Sequence, residues 1–145
     1  MEIRIQIMST FSFISKLIAR RGKNIGITSG QPKVLDYLVE HNGASQTDIA
    51  RACGLEASTL TPILDGMEKS GYVERKRVDG DRRTYHIFLT VLGHEKANQV
   101  IALFSNIQNE LLEGMNEQEQ QEFHRLLTIV HDNAKKSYLD YPNAQ

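Results

Sequence analysis

Residues 45–89 read SQTDIARACGLEASTLTPILDGMEKSGYVERKRVDGDRRTYHIFL, and this stretch decides the fold. Ser45 opens a capping-box pattern, and Gly54 ends the short helix that follows it. A second short helix is predicted from about Ala57 to Ser70, with a terminating glycine directly after it. Two short helices joined by a tight turn form a helix-turn-helix pattern.

A basic hairpin is predicted directly after the two helices. Residues 72–77 and 84–89 are strand-like, and the Asp79-Gly80 pair between them is a tight-turn signal. From Lys69 to Arg83 there are six basic and three acidic residues, a net charge of +3, whereas the whole chain carries -1. A near-neutral total that contains one basic segment predicts a protein that presents one face to an anion.

Apolar spacing predicts helices on the N-terminal side of this region. Five apolar residues lie on one helical stripe: Ile3, Ile7, Phe11, Ile14 and Ile18. The stripe predicts a helix from about Thr10 to Arg20, while residues 1–9 stay open between an extension of that helix and a short strand, because isoleucines also alternate there. The next helix has Pro32 in its first turn and Thr28 or Ser29 as its expected cap.

Two long helices are predicted after the hairpin. Thr90 caps the first of them, which Gly114 ends, and Asn116 with Glu119 forms the capping box of the second. Both carry apolar residues at helical spacing, and they are expected to pair antiparallel. The order of elements is therefore helix, helix, helix-turn-helix, hairpin and two long helices, a mainly α fold with a small β-hairpin.

Length and composition exclude several classes of protein. With 145 residues the chain is expected to form a single domain over its whole length. The single cysteine, Cys53, excludes an intrachain disulfide and fits a reducing compartment. The longest apolar stretches are far below the roughly 20 residues that a membrane-spanning helix needs. We therefore expect a cytoplasmic protein with no membrane partner.

One face of the predicted helix 57–70 suits contact with a nucleic acid. Leu60, Ile63, Leu64 and Met67 cluster on one side of it. The opposite side is polar or small and carries Ser58, Thr59, Thr61, Pro62, Asp65, Gly66 and Lys69. On its own this pattern fits an amphipathic surface helix as well as a helix that enters a DNA groove. Short hydroxyl side chains suit phosphates and base edges.

The arginines of the hairpin favour the DNA interpretation. Arg75 and Arg77 share one face of the first strand, and Arg82 and Arg83 fall at or just past the tip, where aspartates bracket the turn. Guanidinium groups on a protruding ribbon suit a narrow, electronegative minor groove, and a nearby carboxylate such as Asp81 can hold an arginine extended. A solvated basic hairpin remains the alternative.

Five stretches of the sequence form a more specific pattern: Ser58-Thr59-Leu60-Thr61, Leu64-Asp65-x-Met67-Glu68-x-x-Gly71, Val73-Glu74-Arg75, Asp81-Arg82-Arg83 and Ile87-Phe88-Leu89-Thr90-x-x-Gly93. In these motifs the chain resembles the MarR family of winged-helix transcriptional regulators. The resemblance implies a winged helix-turn-helix DNA-binding region over residues 27–90. It also implies dimerisation helices at residues 1–26 and 91–139, and a homodimer on a pseudo-palindromic operator.

The same resemblance implies roles for particular residues. Those expected to contact double-stranded DNA are Ser45, Gln46, Thr47, Ser58, Thr59, Thr61, Pro62, Asp65, Lys69, Arg75, Arg77, Arg82 and Arg83. Among them Arg83 would enter the minor groove with Asp81 supporting it, Arg82 would touch phosphate, and Pro62 would meet a thymine methyl group. A small phenolic or anionic effector, expected near Lys16, Arg20 and Tyr37, would release a repressor from DNA.

Other functions have less support in the sequence. No motif for acyl transfer, phosphate binding or metalloproteolysis is present, so no enzyme is expected. The five histidines show no metal-ligand spacing, and neither a metal nor a cofactor is expected. Two alternatives stay open: a winged helix that binds only proteins, and a redox-responsive regulator that uses Cys53.

Overall fold

The protein is mainly helical with one small antiparallel sheet, as the sequence predicts. The computed structural model describes residues 1–141, except for the side chain of Arg82. The elements are α1 (Ile3–Asn24), α2 (Gln31–Glu40), β1 (Ala44–Ser45), α3 (Gln46–Cys53), α4 (Ala57–Lys69), β2 (Val73–Val78), β3 (Asp81–Leu89), α5 (Val91–Leu111) and α6 (Glu117–Asp140). Within the described residues the structure contains no helix with the length and apolarity needed to cross a lipid bilayer.

The N-terminal segment is one continuous helix. Because α1 begins at Ile3, the alternative of a short strand over residues 1–9 is wrong. Ile3, Ile7 and Phe11 continue the spacing of the downstream stripe, and extending an existing helix costs much less than starting a separate element. The first half of α1 exposes this stripe, with Phe11 67% accessible.

The start of α2 differs from the expectation. Its N-cap is Gly30, in a left-handed conformation with φ of 86°, and neither Thr28 nor Ser29 caps the helix. The backbone N–H of Thr28 instead donates to Oε1 of the buried Gln31 side chain at 3.1 Å, which keeps Thr28 in the preceding turn. A Cβ at position 30 would overlap the Ile63 side chain, so glycine is required there. Pro32 lies in the first turn as predicted.

The sheet has three strands, in the order β1-β3-β2, where the sequence predicted two. Ala44 pairs with Ile87 and Ser45 with His86, so β3 is the central strand. A two-residue strand is too short to show alternation, which explains why the sequence did not reveal it. The strand β3 also begins three residues before the predicted Thr84, because Val78 and Asp81 pair directly across the Asp79-Gly80 turn.

The core connects the helix-turn-helix with the sheet. The buried residues that form it include Ile27, Val34, Leu35, Leu38, Ile49, Leu60, Leu64, Met67, Tyr72, Val73, Ile87, Leu89, Ala97 and Val100. They come from α2, α3, α4, the sheet, the first half of α5 and the connections that hold Ile27 and Tyr72. The packing therefore fixes the orientation of α4 relative to the hairpin.

Backbone contacts divide the chain into two compact units, Met1–Asn106 and Ile107–Gln145. In the second unit α6 begins with the predicted capping box: Glu119 N–H donates to Asn116 Oδ1 at 2.9 Å, and Asn116 N–H donates to Glu119 Oε2 at 2.8 Å. The apolar side chains of α6 remain exposed in the single chain, and Leu127 is 51% accessible.

Candidate nucleic-acid interface

The helix α4 has one buried side and one exposed side, as predicted. Leu60, Leu64 and Met67 are buried in the core. The exposed residues of α4 include Ser58, Thr59, Thr61, Pro62, Asp65 and Lys69. The hydroxyl of Thr61 donates to the Ala57 carbonyl at 3.0 Å, which holds this side chain against its own helix. The exposed side of α4 carries short side chains, a shape that would suit close approach to a DNA groove.

Gly66 does not belong to this exposed side. A Cβ at position 66 would meet Nε2 of the Gln31 side chain at 3.4 Å, so the residue points toward α2. The structure therefore places Gly66 beside the start of α2 and next to the buried Met67, apart from the exposed residues of α4.

Two of the predicted DNA-contacting residues bind each other. Nη1 of Arg75 on β2 lies 2.6 Å from Oδ1 of Asp65 on α4, and Nη2 donates to the Thr61 carbonyl at 3.3 Å. The Arg75 side chain is only 14% exposed, and Nη1 also lies 3.6 Å from Glu68. These contacts connect the wing to α4 and occupy side-chain groups that were expected from the sequence to contact DNA.

The hairpin is irregular near its tip. Between the pairs Lys76 with His86 and Val78 with Asp81, residues 82–85 of β3 stand opposite a single residue of β2, Arg77. Such a bulge increases the local twist and changes the direction of side chains. The guanidinium carbon of Arg77 lies 4.9 Å from the ring centre of Tyr85, a cation–π contact.

At the tip the structure places Arg83 on the surface beside Asp81. Oδ1 of Asp81 accepts the backbone N–H of Arg83 at 3.2 Å, so this carboxylate supports the wing through the backbone. Arg83 is exposed. The side chain of Arg82, also predicted to contact DNA, lies outside the described residues, although its backbone belongs to β3.

The helix-turn-helix and the wing enclose a common concavity of about 360 Å³. It is lined by Gln46, Thr47, Ala50, Ala57, Leu60, Arg83, Thr84 and Tyr85. Ser45 caps α3, where its hydroxyl oxygen accepts the Asp48 N–H at 3.1 Å, and this cap sets the direction in which Gln46 and Thr47 project. The structure thus brings predicted residues of α3 and of the wing to one surface, next to the start of α4.

A second, more apolar cavity of about 470 Å³ lies between α1, α2 and α4. Its lining includes Ile18, Ile27, Pro32, Lys33, Leu55, Thr59, Ile63 and Phe104. The three residues proposed from the sequence for an effector are not among them: Lys16 and Arg20 are exposed on α1, and Tyr37 stacks on His41 with ring centres 4.2 Å apart. Sequence reasoning missed this lining because the residues come from segments far apart in the chain.

Cys53 is half-buried at the end of α3. Its Sγ lies 3.7 Å from the Lys33 carbonyl oxygen. Burial raises the pKa of the Cys53 thiol above its ordinary value, and the carboxylate of Asp36 adds to the effect against an opposing influence of Lys33. A raised pKa keeps the thiol protonated near neutral pH, which lowers its reactivity. Among the described residues no group of three or more His, Cys, Asp or Glu side chains could hold a metal ion.

A helix-turn-helix packed on a basic three-stranded wing defines the winged-helix class. The sequence model of the MarR family matches residues 27–85, which include α2, α3, α4 and most of the wing. The chain is 26% identical over 117 residues to the transcriptional repressor MprA of Escherichia coli K12, a match that covers 77% of this chain and 66% of MprA.

Two solved structures are similar to the whole fold. A MarR transcriptional regulator from Methanosarcina mazei Go1 is 25% identical with a TM-score of 0.84, and the match covers 92% of this chain and 96% of that one. The structure of reduced AbfR bound to DNA is 26% identical with a TM-score of 0.77, and the match covers 94% of this chain and 92% of that one. The chain is therefore similar to the MarR family in sequence over residues 27–85 and in fold over most of its length. It spans just under two thirds of the length of MprA.

Proposed function

We propose that this protein is a homodimeric transcriptional regulator that binds double-stranded DNA and acts as a repressor. The observation that carries the proposal is the concavity that Gln46, Thr47 and Arg83 share with the first turn of α4. It is supported by two relatives, since MprA is named a transcriptional repressor and AbfR has been solved on DNA.

In the proposed complex α4 enters the major groove. Ser58, Thr59 and Thr61 on its exposed side supply hydroxyls for phosphates and base edges, and Pro62 supplies an apolar contact for a thymine methyl group. Arg83 at the wing tip would enter the neighbouring minor groove. Because Arg75 and Asp65 already bind each other, we assign them to holding the wing against α4 rather than to reading DNA.

Dimerisation is proposed to use the helices at the two ends of the chain. In the single chain α1 exposes Ile3, Ile7 and Phe11, and α6 exposes Phe123 and Leu127. Exposed apolar stripes of this extent favour burial against a second copy. A two-fold dimer would place two copies of α4 about one turn of DNA apart, on a pseudo-palindrome.

An effector is proposed to bind the cavity between α1, α2 and α4. Its lining is mostly apolar and includes Lys33 and Thr59 among its polar residues, which suits a small anionic molecule with an apolar body. Thr59 belongs to α4, so an occupant would contact the helix proposed to read DNA. A ligand that prefers one position of α4 would shift the population of DNA-competent dimers.

The remaining assignments follow from this function. We place the protein in the cytoplasm, where chromosomal DNA is accessible, and assign it no catalytic role. A purely protein-binding winged helix would not need exposed arginine at the wing tip. A redox role for Cys53 is disfavoured by its burial and its raised pKa.

The test is enrichment of genomic duplex fragments by the protein at two salt concentrations. A double variant, Arg82→Ala with Arg83→Ala, is compared with a charge-matched control, Lys135→Ala with Lys136→Ala on α6. We expect the wild type and the control to enrich a pseudo-palindrome, with salt-dependent affinity, and the arginine variant to lose it. Salt-independent retention that is indifferent to both arginines would refute DNA binding and indicate a protein partner.

A further inference from the structure

Both ring nitrogens of His86 point at hydrogen-bond acceptors. Nδ1 lies 2.9 Å from the Gly43 carbonyl oxygen, and Nε2 lies 3.3 Å from Oδ2 of Asp81. A neutral imidazole has a single N–H and can satisfy only one acceptor, whereas an imidazolium donates to both. The side chain is 19% exposed, so solvent only partly competes for these bonds. The surroundings of His86 therefore fit the protonated ring.

This histidine lies between the helix-turn-helix and the wing tip. It is on the central strand β3, where Ser45 of β1 and Lys76 of β2 are its cross-strand partners. Gly43 directly precedes β1 and adopts φ of 84°, with the Phe88 ring packed so closely that a Cβ would overlap it. That contact holds the Gly43 carbonyl in place. At the other end of the bridge, Asp81 accepts the backbone N–H of Arg83.

We propose that His86 is a positioning residue for the wing: its doubly donating ring ties Asp81, and through it the backbone of Arg83, to the segment that leads into the helix-turn-helix. The proposal rests on the proposed DNA-binding function, because a fixed wing tip matters where Arg83 must enter a groove. Holding the tip in the bound geometry lowers the entropy that is lost on binding. Loss of one donor from His86 would release one end of the bridge.

The charges around His86 favour its protonated form. The hydrogen bond to the Gly43 carbonyl is the largest cause that raises its pKa, followed by the bond to Asp81, and the carboxylates of Asp81 and Asp48 add to it. Partial burial acts in the opposite direction. The ammonium of Lys76, the cross-strand neighbour, lies 3.2 Å from the Glu74 carboxylate, which offsets its repulsion.

The sign of the pH dependence follows from the raised pKa. The bridge is complete below the ordinary histidine pKa and is lost as the pH rises through the higher folded-state value. DNA affinity is therefore expected to fall across that interval by about three- to tenfold, the size expected for the loss of one partly solvated hydrogen bond. A change of this size would make the regulator sensitive to pH near neutrality.

The first arm of the experiment is an NMR titration of the histidine ring protons in the free protein. We expect His86 to titrate above the ordinary value of about 6.5 in the wild type and closer to it in Asp81→Asn. A wild-type value at or below the ordinary one would overturn the proposal. This arm needs no DNA, so its result stands even if the proposed function fails.

The second arm measures the DNA dissociation constant against pH at several salt concentrations. The wild type and the control His94→Gln, an exposed histidine on α5, should weaken as the pH rises, whereas His86→Gln should give a flat profile. If His86 instead touched phosphate, its deprotonation would reduce the salt dependence of DNA binding by about one counterion. For a positioning residue we expect the same salt dependence at both ends of the pH range. A reduced salt dependence at high pH would overturn the proposal. Should His86→Gln fail to fold, Asp81→Asn serves in both arms, with its profile shifted to lower pH.

Discussion

Replacing each of two helical glycines by alanine should change stability in opposite directions. Gly66 of α4 and Gly93 of α5 both have helical backbones with negative φ, so alanine at either position gains about 0.5–1 kcal/mol from its higher helix propensity. At position 66 the new Cβ would meet Gln31 Nε2 at 3.4 Å, an ordinary van der Waals contact. At position 93 it would overlap the Tyr72 carbonyl oxygen.

The environment of Gly93 leaves no room for relaxation. The Tyr72 carbonyl accepts the Thr90 N–H at 3.0 Å, and the Gly93 N–H donates to the Thr90 hydroxyl at 2.9 Å. Moving that carbonyl would break the start of α5. We expect a net loss of at least about 2 kcal/mol for Gly93→Ala, since overpacking typically costs 1–3 kcal/mol or more, and a net gain of about 0.5–1 kcal/mol for Gly66→Ala.

These changes in the free energy of unfolding can be converted into shifts in the melting temperature, Tm. An unfolding entropy of about 2.1 cal/mol/K per residue gives about 0.3 kcal/mol/K for this chain. Gly66→Ala should therefore raise Tm by about 2–3 °C, and Gly93→Ala should lower it by at least about 6 °C. Both are measured by circular dichroism at one fixed protein concentration, because the proposed dimer would make Tm depend on concentration.

Two results would refute this reasoning. A lower Tm for Gly66→Ala would show that Gln31 cannot accept the added methyl group, and an unchanged Tm for Gly93→Ala would show that the turn after Tyr72 is not constrained as described. DNA binding gives an independent check, because Gly66→Ala should leave the affinity and the preferred site unchanged. A changed site preference would place position 66 in the groove.

Three further outcomes are expected. Arg75→Met should lower the free energy of unfolding by only about 1 kcal/mol in chemical denaturation. The loss is small because Asp65 is exposed enough to be solvated, and because Nε of Arg75 is a buried donor without a hydrogen-bond partner among the described residues. A loss above about 3 kcal/mol would contradict this reasoning. Cys53 should react with iodoacetamide more slowly than a free cysteine at pH 7, with a rate that rises toward alkaline pH; equal rates would mean that its pKa is not raised. Phe11→Glu should dissociate the proposed dimer in light scattering, while Gln6→Glu, about 140° around α1, should not; two dimeric variants would exclude this stripe from the proposed interface.

Local signals explain why the ends of α4 could be predicted within one residue. The sequence predicted a helix from about Ala57 to Ser70, and α4 spans Ala57–Lys69. Its apolar spacing and the glycine after it act over a few residues of chain, and the Asp79-Gly80 turn is equally local. The same holds for the cap of α6, where Asn116 and Glu119 are three residues apart.

Other features needed contacts between distant segments. A two-residue strand such as β1 exists only because β3 supplies its partners. Gly66 lies near the boundary between the two sides of α4, and only the packing of α2 decides which side it joins. The residues expected from the sequence to lie near an effector, Lys16, Arg20 and Tyr37, do not line the cavity between α1, α2 and α4 for the same reason. The lining of this cavity depends on how the three helices pack.

The sequence by itself determined the order of the helices and of the hairpin, the polar face of α4 and the basic character of the wing, because caps, turns and periodicity depend on near neighbours in the chain. Tertiary structure decided which polar groups are already occupied. Arg75 and Asp65 look equally available in the sequence, yet the approach of β2 to α4 pairs them. His86 meets a carbonyl 43 residues away for the same reason. The strength of such contacts depends on distance and burial, and both are set only when the chain folds.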